Sequence, residues 1–295
     1  MKKTIFLPFL LFTFLFTNFI LAQGIEDYLN SYTGENGKGY MQPFADAFGA
    51  NVNSGFFHSA DIPLVGVKVY VGVVTMTAFI ADDAKSFQAS TGEFFNPSTT
   101  VEAPTIFGSI DGTTVDGDAG TTYHFPGGLN IGKLPIAVPQ LTVGSFMGTD
   151  ATLRFIQLNL GDNFGDLSVF GIGLRHSISQ YIPLLPIKIA GGIYYQTFKV
   201  GDVVDASAFF ISAQASYSLP VITLYGGLGY ESSSMDLNYK FGSGDTAEEI
   251  SFNLTAENTV RLTLGAALKL AFITLNADYN IGNQNVLVLG LGFEL

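Results

Sequence analysis

The C-terminal part of the chain alternates between apolar and polar residues with a period of two. From Val260 to Leu270 the apolar positions are Val260, Leu262, Leu264, Ala266, Leu268 and Leu270. The runs 272–282 and 286–295 repeat this alternation. A period of two predicts β-strands with one apolar and one polar face. Strands of about ten residues joined by tight turns have the length that crosses a membrane when tilted. The pattern therefore predicts an all-β fold, a transmembrane antiparallel β-barrel.

The same alternation covers most of the chain after residue 137 and predicts eleven strands there: 138–147, 150–160, 166–178, 186–199, 205–218, 221–231, 234–242, 248–257, 260–270, 272–282 and 286–295. Two of the separating turns are Glu231-Ser232-Ser233 and Glu257-Asn258-Thr259. A first strand lies at 64–80. Single-chain bacterial barrels have an even number of strands, with both termini in the periplasm. We predict fourteen strands, or twelve if 81–136 is one long loop, since such a long structureless stretch is uncommon.

The N-terminal part predicts export and a helical hatch. Residues 1–22 carry a basic start, a short apolar run and a small final residue, which is typical of a cleaved signal peptide. Residues 23–63 contain two short amphipathic helices whose apolar faces need burial. We expect them to plug the lumen, with a cap on the periplasmic mouth as the alternative. The expected hatch side chains are Ile25, Tyr28, Leu29, Phe44 and Phe48. The barrel domain then spans 64–295.

The amino-acid composition excludes several kinds of site and partner. The chain has 295 residues, no cysteine and a net charge of −12. Disulfides and thiolate metal sites are therefore excluded, and so acidic a chain is a poor ligand for nucleic acid. Export together with a barrel predicts the bacterial outer membrane. The expected partners are membrane lipids, the barrel-assembly machinery and a small hydrophobic ligand, with the protein acting as a monomer and carrying no cofactor.

Strand parity also predicts which side chains line the lumen. They are Lys68, Tyr70, Arg154, Arg175, Lys188, Tyr194, Arg261, Lys269, Asp278 and Glu294. Charges at membrane depth are costly and often mark a pathway, which favours a polar and aromatic binding channel. The alternative is a network of ion pairs that fills a closed interior. Glu257 and Arg261 flank one predicted turn on the same face, so we expect them to be cross-strand neighbours.

An enzyme is not expected. His58, His124 and His176 lie far apart in sequence, and none has the spacing of metal ligands. Outer-membrane phospholipases place a His and a Ser two residues apart on one strand face. Here His176 is followed directly by Ser177, on the opposite face. No catalytic or metal site is predicted.

Four runs of the sequence resemble a known family: Tyr40-Met41-Gln42-Pro43-Phe44-Ala45-Asp46-Ala47-Phe48-Gly49-Ala50-Asn51, Pro139-Gln140-Leu141-Thr142-Val143-Gly144 with Gly148-Thr149-Asp150, Leu174-Arg175-His176-Ser177-Ile178 and Tyr225-Gly226-Gly227-Leu228-Gly229-Tyr230-Glu231. Together they resemble a family of Gram-negative outer-membrane barrels without an assigned activity. The resemblance covers most of the mature chain.

A more distant likeness is to the long-chain fatty acid transporter class. That likeness implies a fourteen-stranded barrel, an N-terminal hatch and passage of hydrophobic molecules. The chain departs from the class at Asn96-Pro97, which Ser98 follows instead of the alanine of an Asn-Pro-Ala motif. It also ends in Leu295 instead of an aromatic residue. The sequence thus favours passive transport or binding of small hydrophobic molecules through a hatch-gated lumen. The alternative is a structural or secretion-accessory barrel with a closed, ion-paired interior.

Overall fold

The structure is a computed structural model that describes residues 34–93, 95–159, 166–182, 184–241 and 248–295. The predicted signal peptide and the hatch residues Ile25, Tyr28 and Leu29 lie outside the described residues. Within the described residues one α-helix, α1 (Gly34–Val52), precedes the strands. It carries Pro43 in its interior. No helix in the described ranges is long and apolar enough to span a membrane.

The described residues form fifteen strands: β1 (Lys68–Phe79), β2 (Ser86–Ser90), β3 (Thr100–Pro104), β4 (Thr113–Asp116), β5 (Thr122–Phe125), β6 (Lys133–Phe146), β7 (Thr149–Asn159), β8 (Asp166–Ser177), β9 (Lys188–Val200), β10 (Val204–Ser218), β11 (Ile222–Phe241), β12 (Glu248–Thr255), β13 (Val260–Leu270), β14 (Ile273–Ile281) and β15 (Val286–Glu294). Ten of these described strands close an antiparallel barrel in the order β1, β6, β7, β8, β9, β10, β11, β13, β14, β15 and back to β1. The predicted all-β antiparallel barrel is therefore confirmed. The count of fourteen strands, or twelve, is wrong for the described part of the chain.

The two predicted turns that raised the count are not turns. Residues 231–233 lie inside β11 and pair with residues 208–210 of β10. N-terminal to residue 231, Leu224 and Leu228 of β11 point outward. C-terminal to residue 233, Met235 and Leu237 are buried inside the barrel. The strand keeps its phase while the apolar face changes from the outside to the inside. In the sequence that change has the same appearance as a turn.

Residues 256–259 form a bulge between β12 and β13, which both pair with β11. The pairing of Ser234 with Thr255 and of Tyr230 with Val260 shows that the register shifts by one residue across the bulge. An extra residue moves every following side chain to the other face. Leu254 therefore points inward and Leu262 outward on one nearly continuous strand. Glu257 is exposed, so the predicted pair of Glu257 with Arg261 does not form.

Residues 80–132 cover one end of the barrel, which we call the loop end. They contain two separate hairpins, β2–β3 and β4–β5, that do not join the barrel sheet. The prediction that this region adds two barrel strands is therefore wrong. The opposite end, called the turn end, has short connections such as Met147-Gly148 and Ala271-Phe272. Tight turns there are possible because these connections carry positive φ angles at Met147, Gly148 and Ala271.

Inward-facing glycines make room for large inward aromatic rings. The Tyr194 ring on β9 lies across Gly173 and Gly192 on the same barrel face. Tyr70 covers Gly72 and Gly292 in the same way. A side chain at any of these glycines would meet the ring directly. The missing side chains at these glycines leave the space that the two tyrosine rings occupy.

We expect Gly173→Ala to destabilise the barrel by about 1–3 kcal/mol, because the added methyl group overpacks the Tyr194 ring. The measurement is urea unfolding in detergent micelles, followed by the heat-modifiable mobility of the folded barrel. Gly191→Ala is the matched control, since a Cβ there would meet only Ile178 Cδ1 at 3.8 Å. Equal midpoints for the two variants would show that the ring yields without cost.

Candidate functional site: the filled lumen

The lumen is occupied by the chain's own residues 34–62, which we call the inner segment. Helix α1 lies at the loop end, where Asn36 Nδ2 donates a hydrogen bond of 2.8 Å to the Ser90 carbonyl oxygen. Residues 53–62 continue without regular secondary structure to the turn end. There Lys188 Nζ is 3.7 Å from Asp61 Oδ1. The inner segment thus runs through the barrel from the loop end to the turn end.

The loop-end half of this interior is an apolar core. Tyr40, Met41 and Phe48 of α1 are buried against inward side chains of the strands. The Phe48 ring centroid lies 4.4 Å from that of Phe198. The buried Phe107 ring of the loop region lies tilted against the Phe44 ring, with ring centroids 6.2 Å apart. Apolar burial of this kind supplies the main favourable free energy for holding a short helix.

Polar contacts also join α1 to the covering loops and the bulge. The Tyr40 hydroxyl donates to the Gly127 carbonyl oxygen at 3.0 Å. Asp46 Oδ1 accepts a hydrogen bond of 2.8 Å from the Glu257 backbone N–H. Burial raises the pKa of the Asp46 carboxyl above its usual value, while this hydrogen bond and one from Gln42 oppose the shift. Asn258 Nδ2 donates to the Asp46 carbonyl oxygen at 2.8 Å.

Arg154 holds the centre of the inner segment. Its side chain is 0% exposed, and its Nη1 and Nη2 atoms donate to the carbonyl oxygens of Val52 at 3.1 Å and Ser54 at 2.8 Å. The guanidinium carbon lies 3.8 Å from the centroid of the Phe56 ring, a cation–π contact. Nε donates to Gln140 Oε1 at 2.8 Å. Arg154 has no carboxylate among these partners, so backbone carbonyls of the inner segment satisfy its donors.

Arg261 binds the end of α1. It is 1% exposed and pairs with Glu231, with Nη2 2.7 Å from Glu231 Oε2. The same Nη2 donates to the Ala50 carbonyl oxygen at 2.7 Å, and Nη1 donates to Ser54 Oγ at 2.6 Å. A buried guanidinium needs both a counter-charge and hydrogen bonds. Glu231 supplies the counter-charge, and the inner segment supplies the hydrogen-bond acceptors.

Arg175 binds the part of the inner segment that lies nearer the turn end. Its guanidinium forms a two-point pair with Asp150, in which Nε donates to Oδ1 at 2.9 Å. Nη1 donates to the Ser59 carbonyl oxygen at 2.6 Å. Next to it, the Ala60 backbone N–H donates to Ser216 Oγ at 2.9 Å. Three arginines, one each from β7, β8 and β13, therefore bind backbone carbonyl oxygens spread along the inner segment, those of Ala50, Val52, Ser54 and Ser59.

Aromatic side chains also contact residues 53–62 of the inner segment. Phe56 stacks on Tyr194 with ring centroids 4.2 Å apart. Phe57 meets Tyr225 edge-on at 5.8 Å. The Tyr225 hydroxyl in turn donates to Asp278 Oδ2 at 2.8 Å. Asp278 Oδ1 accepts a hydrogen bond of 2.7 Å from Asn280.

The structure places the ten predicted lumen residues on the inside of the barrel but gives them different roles. Tyr70, Arg154, Arg175, Tyr194, Arg261 and Asp278 are buried against the inner segment or beneath it. Lys68, Lys188, Lys269 and Glu294 gather at the turn end. The predicted hatch residues Phe44 and Phe48 lie in the apolar core of α1. Alternation found the inward side chains, but it carried no signal for Gln140, Gln196 and Glu231 as partners of arginine.

The lumen leaves little free volume in the part of the chain that the structure describes. An interior cavity beside α1, between Phe48 and Phe198, measures about 10 Å³. Another beside Arg175 and His58 also measures about 10 Å³. Each is about the volume that a single water needs. Two larger cavities, each about 390 Å³, open at the turn end, on either side of residues 61–63.

The geometry defines a class of protein, a closed ten-stranded barrel whose lumen is filled by an internal segment. A model of the family of unknown function DUF6588 matches residues 1–295, so the chain belongs to that family. No curated protein matches the sequence. The ten strands depart from the fourteen that the likeness to fatty acid transporters implies.

Three solved outer-membrane structures show similarity to the chain. OmpT of Vibrio cholerae, with loop L8 deleted, is 11% identical, with 78% of this chain and 99% of that chain covered and a TM-score of 0.29. The attachment invasion locus protein Ail of Yersinia pestis is 11% identical, with 78% and 97% covered and a TM-score of 0.26. The toluene transporter TbuX of Ralstonia pickettii is 8% identical, with 79% and 90% covered and a TM-score of 0.25. At these scores the similarity transfers neither function nor ligand.

Proposed function

We propose that this protein is a bacterial outer-membrane β-barrel whose resting state is non-conducting, because residues 34–62 act as a built-in plug. The outward faces of the strands support the membrane setting, since they carry an exposed apolar belt that includes Leu153, Leu228, Leu264 and Leu289. Tyr195, Tyr217, Tyr230 and Phe293 are also exposed on the outside, as interfacial anchoring residues are.

The observation that carries the proposal is the continuous set of contacts from Asn36 to Asp61. Three buried arginines bind the plug, and the interior cavities beside Phe48 and beside Arg175 are each no larger than about one water. The test is to reconstitute the purified protein in planar bilayers and in liposomes. We expect no stable open-channel current and no swelling in small sugars above protein-free liposomes. A steady current from the intact protein would overturn the proposal.

A second candidate function is gated passage of small hydrophobic molecules, after the plug moves. One observation favours it. Residues 53–62 form no strand pairing with the described barrel strands and are held through side chains such as Arg154 and Arg175. Such contacts can be exchanged for water without opening the sheet. Uptake of N-phenylnaphthylamine by intact cells above the empty-vector level would support passage, and uptake at that level would exclude it.

The sidedness of the plug can be measured because the chain has no cysteine. Long loops of such barrels face the cell exterior. Single substitutions Glu35→Cys and Asp111→Cys at the loop end should react with a membrane-impermeant maleimide in intact cells. Leu184→Cys, 99% exposed at the turn end, should react only after the outer membrane is permeabilised. Labelling of Asp111→Cys without Glu35→Cys would contradict the path of the plug.

A further inference from the structure

A cluster of charges surrounds Glu294 at the turn end. Lys269 Nζ lies 2.7 Å and Lys68 Nζ 3.4 Å from the same carboxylate atom, Oε1. His58 Nε2 lies 2.8 Å from Oε2. The Glu294 side chain is 5% exposed, whereas that of Lys269 is 50% exposed. Two ammonium groups thus share one buried carboxylate, and the half-exposed Lys269 ammonium lies at the opening.

One of the larger cavities, about 390 Å³ in volume, lies directly over this cluster. Its polar wall includes Lys68, Lys269, Thr274 and Glu294, and Val67 and Val221 contribute apolar surface. Asp61 also lines it, and its carboxylate faces Lys188 at 3.7 Å. A volume of this size is within the range of small-molecule sites.

Thr274 supplies an independent observation. Its side chain is 2% exposed, lines the cavity, and its hydroxyl oxygen has no hydrogen-bond partner among the described residues. Leaving a buried hydroxyl unpaired costs free energy. A bound group that carries acceptor oxygens would accept hydrogen bonds from this hydroxyl and from the remaining N–H groups of the two ammonium groups.

We propose that this cavity binds a small organic anion. A carboxylate or phosphate group would accept hydrogen bonds from Lys68, Lys269 and the Thr274 hydroxyl, and charge-assisted bonds of this kind are strong. The apolar part of the ligand would lie against Val67 and Val221. The three residues proposed to bind the anion, Lys68, Lys269 and Thr274, belong to β1, β13 and β14 and not to the plug.

The test is a calorimetric titration of the folded barrel in neutral maltoside micelles with sodium benzoate. Benzyl alcohol serves as the uncharged match. We expect saturable binding of benzoate and none of benzyl alcohol. Lys269→Met should weaken benzoate binding about tenfold, since it removes a charged hydrogen bond. Glu294→Gln should strengthen binding, because both ammonium groups lose their competing carboxylate.

Controls separate this site from general attraction of anions. Lys199→Met removes an exposed charge that pairs with Asp205, and it should leave benzoate binding unchanged. Heat-modifiable mobility verifies that each variant is folded. Unchanged affinity in Lys269→Met, equal binding of benzyl alcohol, or no saturable heat would each overturn the proposal. If phosphatidylglycerol in the micelles abolishes benzoate binding, the occupant is a lipid head group; retained binding assigns a soluble anion.

Discussion

Deletion of residues 34–62 is expected to turn a silent barrel into an ion-conducting pore. In the intact protein these residues fill the lumen and leave interior cavities of about 10 Å³. An eight-stranded barrel can fill its interior with side chains alone, whereas barrels of sixteen or more strands leave an aqueous channel. Ten strands lie close to the lower limit, so the unplugged pore should be narrow. Its conductance should fall below that of a sixteen-stranded porin.

The measurement is single-channel recording of the wild-type and deleted proteins in planar bilayers. Heat-modifiable mobility must show first that the deleted barrel is folded. A synthetic peptide of residues 34–62, added to the open variant, should reduce the current, and a peptide of the same composition in scrambled order should not. A folded deletion variant that stays silent would show that the barrel wall closes the lumen without the plug.

Arg154→Met is expected to release the centre of the plug. The substitution leaves the carbonyl oxygens of Val52 and Ser54 without their donors and removes the contact with the Phe56 ring. Unpaired buried groups of this kind cost about 1–3 kcal/mol each, so the loss in docking free energy should be about 3 kcal/mol. A loss of that size raises the population of the undocked plug about a hundredfold.

Limited chymotrypsin digestion in micelles measures this change, because Phe56 and Phe57 are buried in the docked plug. Cleavage there should be about a hundred times faster in Arg154→Met than in the wild type when opening is rapid. Arg154→Lys keeps the charge but lacks the planar fork that reaches two carbonyls, so it should be intermediate. Lys199→Met is the exposed control. Equal cleavage rates in all four proteins would remove Arg154 as an anchor.

Alternation of residues predicted the barrel well because each strand is short and its two faces meet different surroundings. Arg154, Arg175 and Arg261 were assigned to the inside from parity alone, and the structure places them there. The period of a strand is local, so neighbouring residues are sufficient to reveal it. The same reasoning explains why Tyr70 and Tyr194 could be assigned to the inside.

The strand count failed where strands extend past the apolar belt. Met235 and Leu237 point inward on β11, yet they follow polar residues that resemble a turn. The apolar face had been equated with the outside of the barrel. Beyond the belt, toward the loop end, the outer face of the strand meets water and the inner face meets α1. The polarity of the two faces is therefore reversed there. Only the position of α1 explains this reversal.

The sequence by itself determined that this protein is an alternating β chain and that basic and aromatic side chains point inward. The tertiary structure alone decided that ten strands close the barrel, that residues 34–62 run through it and that the arginines bind backbone oxygens of that segment. The physical reason is the range of the interactions. Strand periodicity depends on residues next to each other, whereas Arg154 and Val52, or Arg261 and Ala50, are far apart in the chain and meet only once the barrel has closed around its plug.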